Sequence, residues 1–217
     1  MCIIFIAKNI HPSHPLIIAA NRDEYFERPT QGSHWWEDAP HIFAGRDLQA
    51  GGTWMGYNRT NRIAAITNVR RLDLHRDDAK SRGEWVRRFL DLEEANIDVA
   101  LAEFTKMLEA EAHLYNPFNL LYGDRNKLMV FNSVNLQSYS LDDGIYSVSN
   151  GMLDDEWPKM QRGISALSEY IQSNDTVKTH ALFQLLQNNE EAAAEVLPKT
   201  GIPVAYEKML SSIFINP

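Results

Sequence analysis

Two short apolar runs at the start of the chain constrain its fold more than any other feature. Residues 2–7 and 16–20 are rich in β-branched side chains, and they flank a turn over residues 9–15 that contains Pro12 and Pro15. Runs of this length and composition predict the two strands of a hairpin. Because neither run alternates with polar residues, both faces of each strand are expected to be covered, as in a sheet that lies between other layers.

The remaining signals come in blocks of strands and blocks of helices. Residues 51–57 and 63–68 predict a second hairpin, and later strands are predicted over residues 118–122, 128–131 and 145–148. Helices are predicted after the capping-box spacing of Ser81 and Glu84, and over residues 98–110, 158–171, 176–186 and 190–196. Residues 25–44 predict a loop, and residues 209–215 predict the start of a strand. This order indicates an α+β fold with mostly antiparallel sheets and, since no linker is visible, a single domain over residues 1–217.

Composition narrows the classes of partner. The formal net charge is −8 and no run of basic residues interrupts it, so nucleic acid is not expected as a partner. The single cysteine rules out an intramolecular disulfide and favours a reducing compartment. No segment reaches the roughly 20 apolar residues that a membrane span requires. We therefore expect a soluble, cytoplasmic protein, and the oligomeric state stays open.

The position of Cys2 suggests chemistry. Methionine aminopeptidases accept small second residues, so Met1 is expected to be removed and Cys2 would then carry both a thiol and a free α-amine. A free α-amine titrates at about pH 8, close enough to neutrality to accept the proton of the thiol beside it. The thiolate is the nucleophilic form of cysteine. The alternative is a small apolar residue packed in the first strand, since free cysteines are commonly buried.

Charged and amide residues follow several of the predicted strands. Arg22 and Asp23 end the second strand, where a hairpin would bring them beside Cys2: the guanidinium would favour the thiolate, and the carboxylate would orient the amine. Asn68 and Asn150 also end strands, and an amide NH2 is a suitable donor to the oxyanion of acyl transfer. A solvated strand end for the charged pair, and turn positions for the two asparagines, are the alternatives.

An aromatic group and a histidine pair give weaker signals. Tyr25 and Trp54 are close in sequence to the proposed site, and with neighbouring aromatic residues they would either wall an apolar substrate pocket or pack in the core. His11 and His14 have a spacing known from metal sites, but the prolines around them indicate a turn, and no metal is predicted.

The order of the motifs along the chain resembles one family. The motifs are Cys2, residues 21–24 (Asn-Arg-Asp-Glu), residues 51–56 (Gly-Gly-Thr-Trp-Met-Gly), Thr67-Asn68, residues 81–84 (Ser-Arg-Gly-Glu), residues 115–120 (Tyr-Asn-Pro-Phe-Asn-Leu) and Ser149-Asn150. As a set covering essentially the whole chain, they identify it as similar to the NRDE family, also called the transport and Golgi organisation family.

The resemblance implies a fold and a class of reaction. The family is assigned to the N-terminal-nucleophile (Ntn) hydrolase superfamily, whose fold is a four-layer αββα sandwich with the nucleophile on the first strand. A more distant similarity to the cysteine amidases of bile salts and penicillin V implies Cys2, Arg22, Asp23, Asn68 and Asn150 as catalytic residues. Asn21, Tyr25 and Trp54 are the predicted substrate-binding residues.

Two functions remain open from the sequence. The first is a hydrolase acting on a non-peptide amide or a related acyl compound, with no cofactor. The second is a non-catalytic protein of the same fold that binds haem or a lipid, since some family members are implicated in handling such ligands. The family pattern also continues past residues 209–212 into a Tyr-Gly-Thr-Arg type motif that is absent here. The domain is therefore expected either to lack its C-terminal strands or to complete its sheet differently.

Overall fold

A computed structural model describes residues 2–215, and its contacts divide the chain into two compact units. The first unit comprises the residues up to Asp23, the short segment Arg70–Asp73 and the residues from Asp142 onward. The second unit comprises Glu24–Val69 and Leu74–Leu141. The segments of the two units interleave along the sequence, and the single domain predicted over residues 1–217 stays a prediction. Strands and helices are numbered below in chain order.

The first unit is built on a three-stranded antiparallel sheet. Its strands are β1 (Cys2–His11), β2 (His14–Arg22) and β10 (Gly144–Val148), and β1 lies in the middle of the order β10-β1-β2. The helices of the unit are α3 (Pro158–Gln172), α4 (Thr179–Leu186) and α5 (Val204–Met209). Every residue from Cys2 to Ala7 is buried, as the unbroken apolar run predicted.

The core of the first unit lies between one face of this sheet and its helices. Ile3 and Phe5 of β1 belong to one apolar cluster with Met160 and Leu167 of α3. The contact is closest at Gly163 of α3, where a Cβ atom would overlap the ring of Phe5. The absence of a side chain at this position therefore sets how closely α3 approaches β1.

The second unit contains a seven-stranded antiparallel sheet whose strands follow one another in chain order. They are β3 (Thr30–Trp35), β4 (Ile42–Asp47), β5 (Met55–Asn58), β6 (Ile63–Asn68), β7 (Phe118–Gly123), β8 (Leu128–Asn132) and β9 (Gln137–Leu141). Helices α1 (Gly83–Leu90) and α2 (Ile97–Glu111) pack on it. Trp85 and Phe104, one from each helix, are fully buried with their ring centroids 5.6 Å apart.

The structure confirms most of the predicted elements and corrects others at the sheet edges. Residues 25–44 are not one loop, because β3 and the start of β4 lie within them, and β9 was also missed. β3 and β9 are the two edge strands of the seven-stranded sheet, and their residues are mostly exposed or half-buried. An edge strand with so few buried side chains carries no apolar alternation for a pattern to detect.

Four other details of the predicted elements were wrong. Residues 209–215 do not begin a strand: α5 ends at Met209, and the hydroxyls of Ser211 and Ser212 donate to the backbone carbonyls of Lys208 and Met209, which closes turns. The predicted capping box is absent, since α1 begins at Gly83 without a side-chain cap. The second predicted hairpin is present, but its first strand begins only at Met55. The helix predicted over 190–196 is reduced to a single 3₁₀ turn at residues 194–196.

Between residues 2 and 215, none of the helices combines the length and the apolarity needed to cross a membrane.

Candidate active site

The hairpin of β1 and β2 places Cys2 directly opposite Arg22. The antiparallel register pairs Cys2 with Arg22, because β1 begins at the residue that faces the last residue of β2. The thiol is buried, with 8% of the residue exposed. Burial raises the pKa of the Cys2 thiol, and the negative charge of Asp23 acts in the same direction. The backbone N–H of Asp23 and the charge of Arg22 lower it. The thiol therefore needs a proton acceptor or more positive charge nearby to become a nucleophile.

The end of β10 brings a second polar segment to the same end of the sheet. Ser149 is buried, and its Oγ lies 3.0 Å from the carbonyl oxygen of Cys2 and 3.2 Å from Oδ1 of Asn150. Asn150 is itself 1% exposed, and its backbone carbonyl oxygen accepts a 2.7 Å hydrogen bond from the backbone N–H of Arg70. The first unit thus gathers four predicted site residues around the start of β1: Cys2, Arg22, Asp23 and Asn150.

Lys159 is part of this group, although the sequence analysis did not single it out. It is the second residue of α3, it is 1% exposed, and its Nζ lies 3.5 Å from Oδ1 of Asn150. Burial lowers the pKa of Lys159 to about 8. The carboxylate of Asp23 and, to a smaller extent, Cys2 act in the opposite direction and raise this pKa. A lysine in the first turn of a helix, where the helix dipole disfavours a cation, was the sequence signal that could have identified it.

Asp23 supplies the negative charge of the site. Burial raises the pKa of its carboxyl group, and positive charges that include Lys159 lower it. A carboxylate and an ammonium group buried near one another stabilise each other's charged forms, which is the condition under which buried charges persist.

A buried ion pair lies beside the site in the same unit. Nη1 of Arg70 donates to Oε2 of Glu207 on α5, and the side chains of both residues are almost fully buried. Oε1 of Glu207 also accepts hydrogen bonds from the backbone N–H of Thr200 at 2.9 Å and from its hydroxyl at 2.5 Å. The guanidinium of Arg70 lies 5.1 Å from the ring centroid of Trp157, and the ammonium of Lys159 lies 5.8 Å from the same ring.

The contacts of the three predicted substrate-binding residues do not point to a shared binding site. The side-chain amide of Asn21 donates to the backbone carbonyls of Leu186 at 2.7 Å and Ile213 at 3.0 Å, which favours an anchoring role over substrate contact. Tyr25 is 82% exposed, and Trp54 is half-buried against the core of the second unit. Neither aromatic residue belongs to the first unit.

Asn68 is the predicted site residue that belongs to the second unit. It ends β6 as predicted, and the register pairs it with Phe118 of β7. Its role as an oxyanion donor stays a prediction.

Two motifs of the family resemblance have structural roles in the second unit. The backbones of Gly52 and Gly83 approach so closely that a Cβ on Gly52 would lie 2.8 Å from the carbonyl carbon of Gly83. Glu84 then accepts a 3.1 Å hydrogen bond from the hydroxyl of Tyr115. These contacts explain why the sequence carries a glycine in both motifs.

Within the part of the chain that the structure describes, no group of three or more His, Cys, Asp or Glu side chains is placed to hold an ion.

The chain is similar in sequence to one protein family and to mammalian proteins of the same name. The family model described as Transport and Golgi organisation 2 matches residues 1–217. The chain is 32% identical to the mouse Transport and Golgi organization 2 homolog, with 88% of this chain and 73% of the mouse protein covered. It is 33% identical to the bovine homolog with the same coverage.

Among solved structures, the chain is similar to the Caenorhabditis elegans N-acylethanolamine-hydrolyzing acid amidase ortholog. The match has a TM-score of 0.59 at 14% identity and covers all of both chains. At this identity the likeness is one of fold alone, and it confirms the predicted α+β fold of the Ntn-hydrolase type.

Proposed function

The chain belongs to the Transport and Golgi organisation 2 family, and from this premise we propose that it is an N-terminal-cysteine amidohydrolase. In this proposal Cys2, exposed by removal of Met1, cleaves a non-peptide amide or a related acyl compound. The observation that carries the proposal is the pairing of Cys2 with Arg22 at the end of a hairpin, with the backbone N–H of Asp23 directed at the thiol. The fold shared with an amidase supports the choice of reaction class.

The proposed reaction divides amide cleavage into two steps. The α-amine of Cys2 takes the thiol proton, and the thiolate forms a bond to the carbonyl carbon of the substrate. Asn150 would stabilise the oxyanion, and such a donor typically contributes a factor of about 100 to 1,000 in rate. The C–N bond then breaks as the proton passes to the leaving amine. Water attacks the resulting thioester, which releases the acid and returns the proton to the thiol.

The burial of the thiol explains why the free amine matters. Burial alone favours the protonated thiol, so a Cys2 without an adjacent proton acceptor would be inert at neutral pH. In the proposal, Arg22 favours the thiolate by its charge and Asp23 would orient the terminal amine. The proposal therefore depends on the removal of Met1, which an intact-mass measurement of the purified protein determines directly.

Alkylation by iodoacetamide tests the nucleophile. Because the chain has one cysteine, the incorporated label reports Cys2 alone. We expect the processed protein to be labelled at pH 7 faster than free cysteine. The matched control is a chain with one lysine inserted between Met1 and Cys2, which keeps the thiol but blocks the removal of Met1, and we expect slow labelling there.

Turnover on a panel of N-acyl amides and esters tests the reaction. We expect Cys2→Ala to abolish turnover while its circular dichroism spectrum stays that of the unmodified protein. Labelling no faster than free cysteine, together with no turnover on the panel, would refute the proposal. If Cys2→Ala also keeps the full affinity for haem or an acyl chain in an absorbance titration, the non-catalytic binding function predicted as the alternative would replace it.

A further inference from the structure

The position of Lys159 is electrostatically unfavourable for a charged side chain in two ways. The side chain is fully buried, which removes the hydration of the ammonium group. It also lies in the first turn of α3, where the positive end of the helix dipole disfavours a cation. A methionine has a similar length and no charge, so it would fill the same space without either penalty. Packing alone therefore does not account for a lysine at this position.

Lys159 is in contact with Asn150, the proposed oxyanion donor. Its Nζ lies 3.5 Å from Oδ1 of Asn150, at the outer limit of a hydrogen bond. The hydroxyl of Ser149 is also 3.2 Å from this oxygen, but its single proton is shared with the carbonyl oxygen of Cys2 at 3.0 Å. An ammonium group can only donate, so the oxygen of the Asn150 amide is the atom that faces Lys159. The NH2 group of that amide is then directed away from Lys159.

The charged groups that act on Lys159 come from four segments of the first unit. They are Asp23 after β2, Cys2 on β1, Arg70 in the segment 70–73 and Glu207 on α5. Asp23, Cys2 and Glu207 favour the ammonium form, whereas Arg70 disfavours it. Contacts of 3.5, 3.2 and 3.0 Å through Asn150 and Ser149 connect Nζ of Lys159 to the carbonyl oxygen of Cys2. Because a Coulomb interaction between buried groups is mutual, the ammonium of Lys159 in turn favours the thiolate of Cys2. It favours the carboxylate of Asp23 in the same way.

We propose that Lys159 is a positioning residue of the active site, which holds the amide of Asn150 with its NH2 group toward the reacting carbonyl and favours the thiolate of Cys2. This proposal rests on the proposed function, because it assigns Lys159 a role toward the same nucleophile and oxyanion donor. Lys159 itself does not touch the substrate. It acts through Asn150 by a hydrogen bond and through Cys2 by its charge.

The test is the pH profile of Cys2 alkylation in the processed protein and in Lys159→Met. Loss of a nearby cation raises the apparent pKa of a thiol by about one unit or more, which lowers the thiolate fraction at neutral pH about tenfold. We expect iodoacetamide labelling of Lys159→Met at pH 7 to be slower by about this factor, with the midpoint of the profile moved to higher pH. The profile requires no turnover, so the result stands whether or not the amidase panel yields a substrate.

Lys8→Met is the matched control. Lys8 is a second buried lysine of the same unit, 6% exposed and 3.1 Å from Asp143, but it is paired with Leu16 toward the far end of β1 from Cys2. Six residues along a strand correspond to about 20 Å, so its charge should not affect the thiol. We expect the alkylation profile of Lys8→Met to match that of the unmodified protein.

The outcomes separate the alternatives. If the profile of Lys159→Met superimposes on that of the unmodified protein, or if Lys8→Met shows the same shift, the proposal is wrong. If Lys159→Met does not fold by circular dichroism, Lys159→Arg takes its place, because it keeps the charge. A profile of Lys159→Arg within about twofold of the unmodified protein at pH 7 supports the proposal, and a tenfold loss overturns it.

Discussion

The buried ion pair between Arg70 and Glu207 gives the most specific stability prediction. Glu207→Gln removes the negative charge and keeps an oxygen that can accept the two hydrogen bonds of Thr200. The guanidinium of Arg70 would then lie buried without its anion. Breaking a buried pair in this way costs about 3–5 kcal/mol of folding free energy, a large part of the roughly 5–15 kcal/mol of a typical domain.

The measurement is unfolding of the purified protein in urea and on heating, followed by circular dichroism. For a chain of this length each kcal/mol corresponds to about 2–4 °C, so we expect the unfolding midpoint of Glu207→Gln to fall by about 10 °C. The control is Glu191→Gln. Oε2 of Glu191 lies 3.5 Å from Nζ of Lys208, which is on α5 next to Glu207, and both side chains of this pair are exposed. Exposed pairs contribute about 0–1 kcal/mol, so its midpoint should change little.

A double variant makes the reasoning refutable. If the cost of Glu207→Gln comes from the buried charge of Arg70 after the carboxylate of Glu207 is lost, then adding Arg70→Met removes that charge and should restore a large part of the lost stability. A Glu207→Gln variant no less stable than Glu191→Gln would refute the reasoning. So would a double variant whose losses simply add, since the two residues would then not be coupled.

Three further predictions concern the same unit. Gly163→Ala should lower stability by about 1–3 kcal/mol in urea unfolding, although alanine is the better helix former, because its Cβ would overlap Phe5; a rise in stability would contradict this contact. Asn21→Ala should cost about 1–3 kcal/mol, since two backbone carbonyls lose their donor, and a loss of substrate affinity without a loss of stability would instead favour the substrate-binding role. The pKa of Lys159 is about 8 when folded and 10.5 as an ordinary lysine, so between these values the unfolded chain binds more protons and stability rises with pH. The stability of the unmodified protein relative to Lys159→Met should therefore increase by up to about 3 kcal/mol from pH 7 to pH 10.5, and a constant difference across that range would refute the burial of a charged lysine.

The fold class was predictable because the central elements have strong local patterns. β1, β2, β6 and β7 each contain a run of apolar residues, at 2–7, 16–20, 63–66 and 120–122. Helices α2 and α3 have apolar residues at helical spacing over fifteen residues each. Such segments must bury their apolar surface, so their periodicity alone indicates what they form. The edge strands β3 and β9 bury little and could not be predicted in this way.

The proposed catalytic pair was predictable for a related reason. A hairpin that begins at Cys2 and ends at Arg22 brings these residues together whatever the rest of the chain does, because antiparallel register is a local property. Asn150 and Lys159 lie far from Cys2 in sequence, and no local register constrains their distance from it. The family resemblance suggested Asn150, but nothing in the spacing along the chain related Lys159 to it.

The sequence by itself thus determined the hairpin with its nucleophile candidate, the alternation of strand and helix blocks, and the family. Only the tertiary structure decided which charges are buried beside that hairpin: Lys159, and the pair of Arg70 and Glu207. The physical reason is that burial belongs to the assembled unit and not to a residue. A lysine at the start of a helix has the same local sequence whether its ammonium group faces water or an amide oxygen, and only packing of α3 against β1 and β10 selects the second.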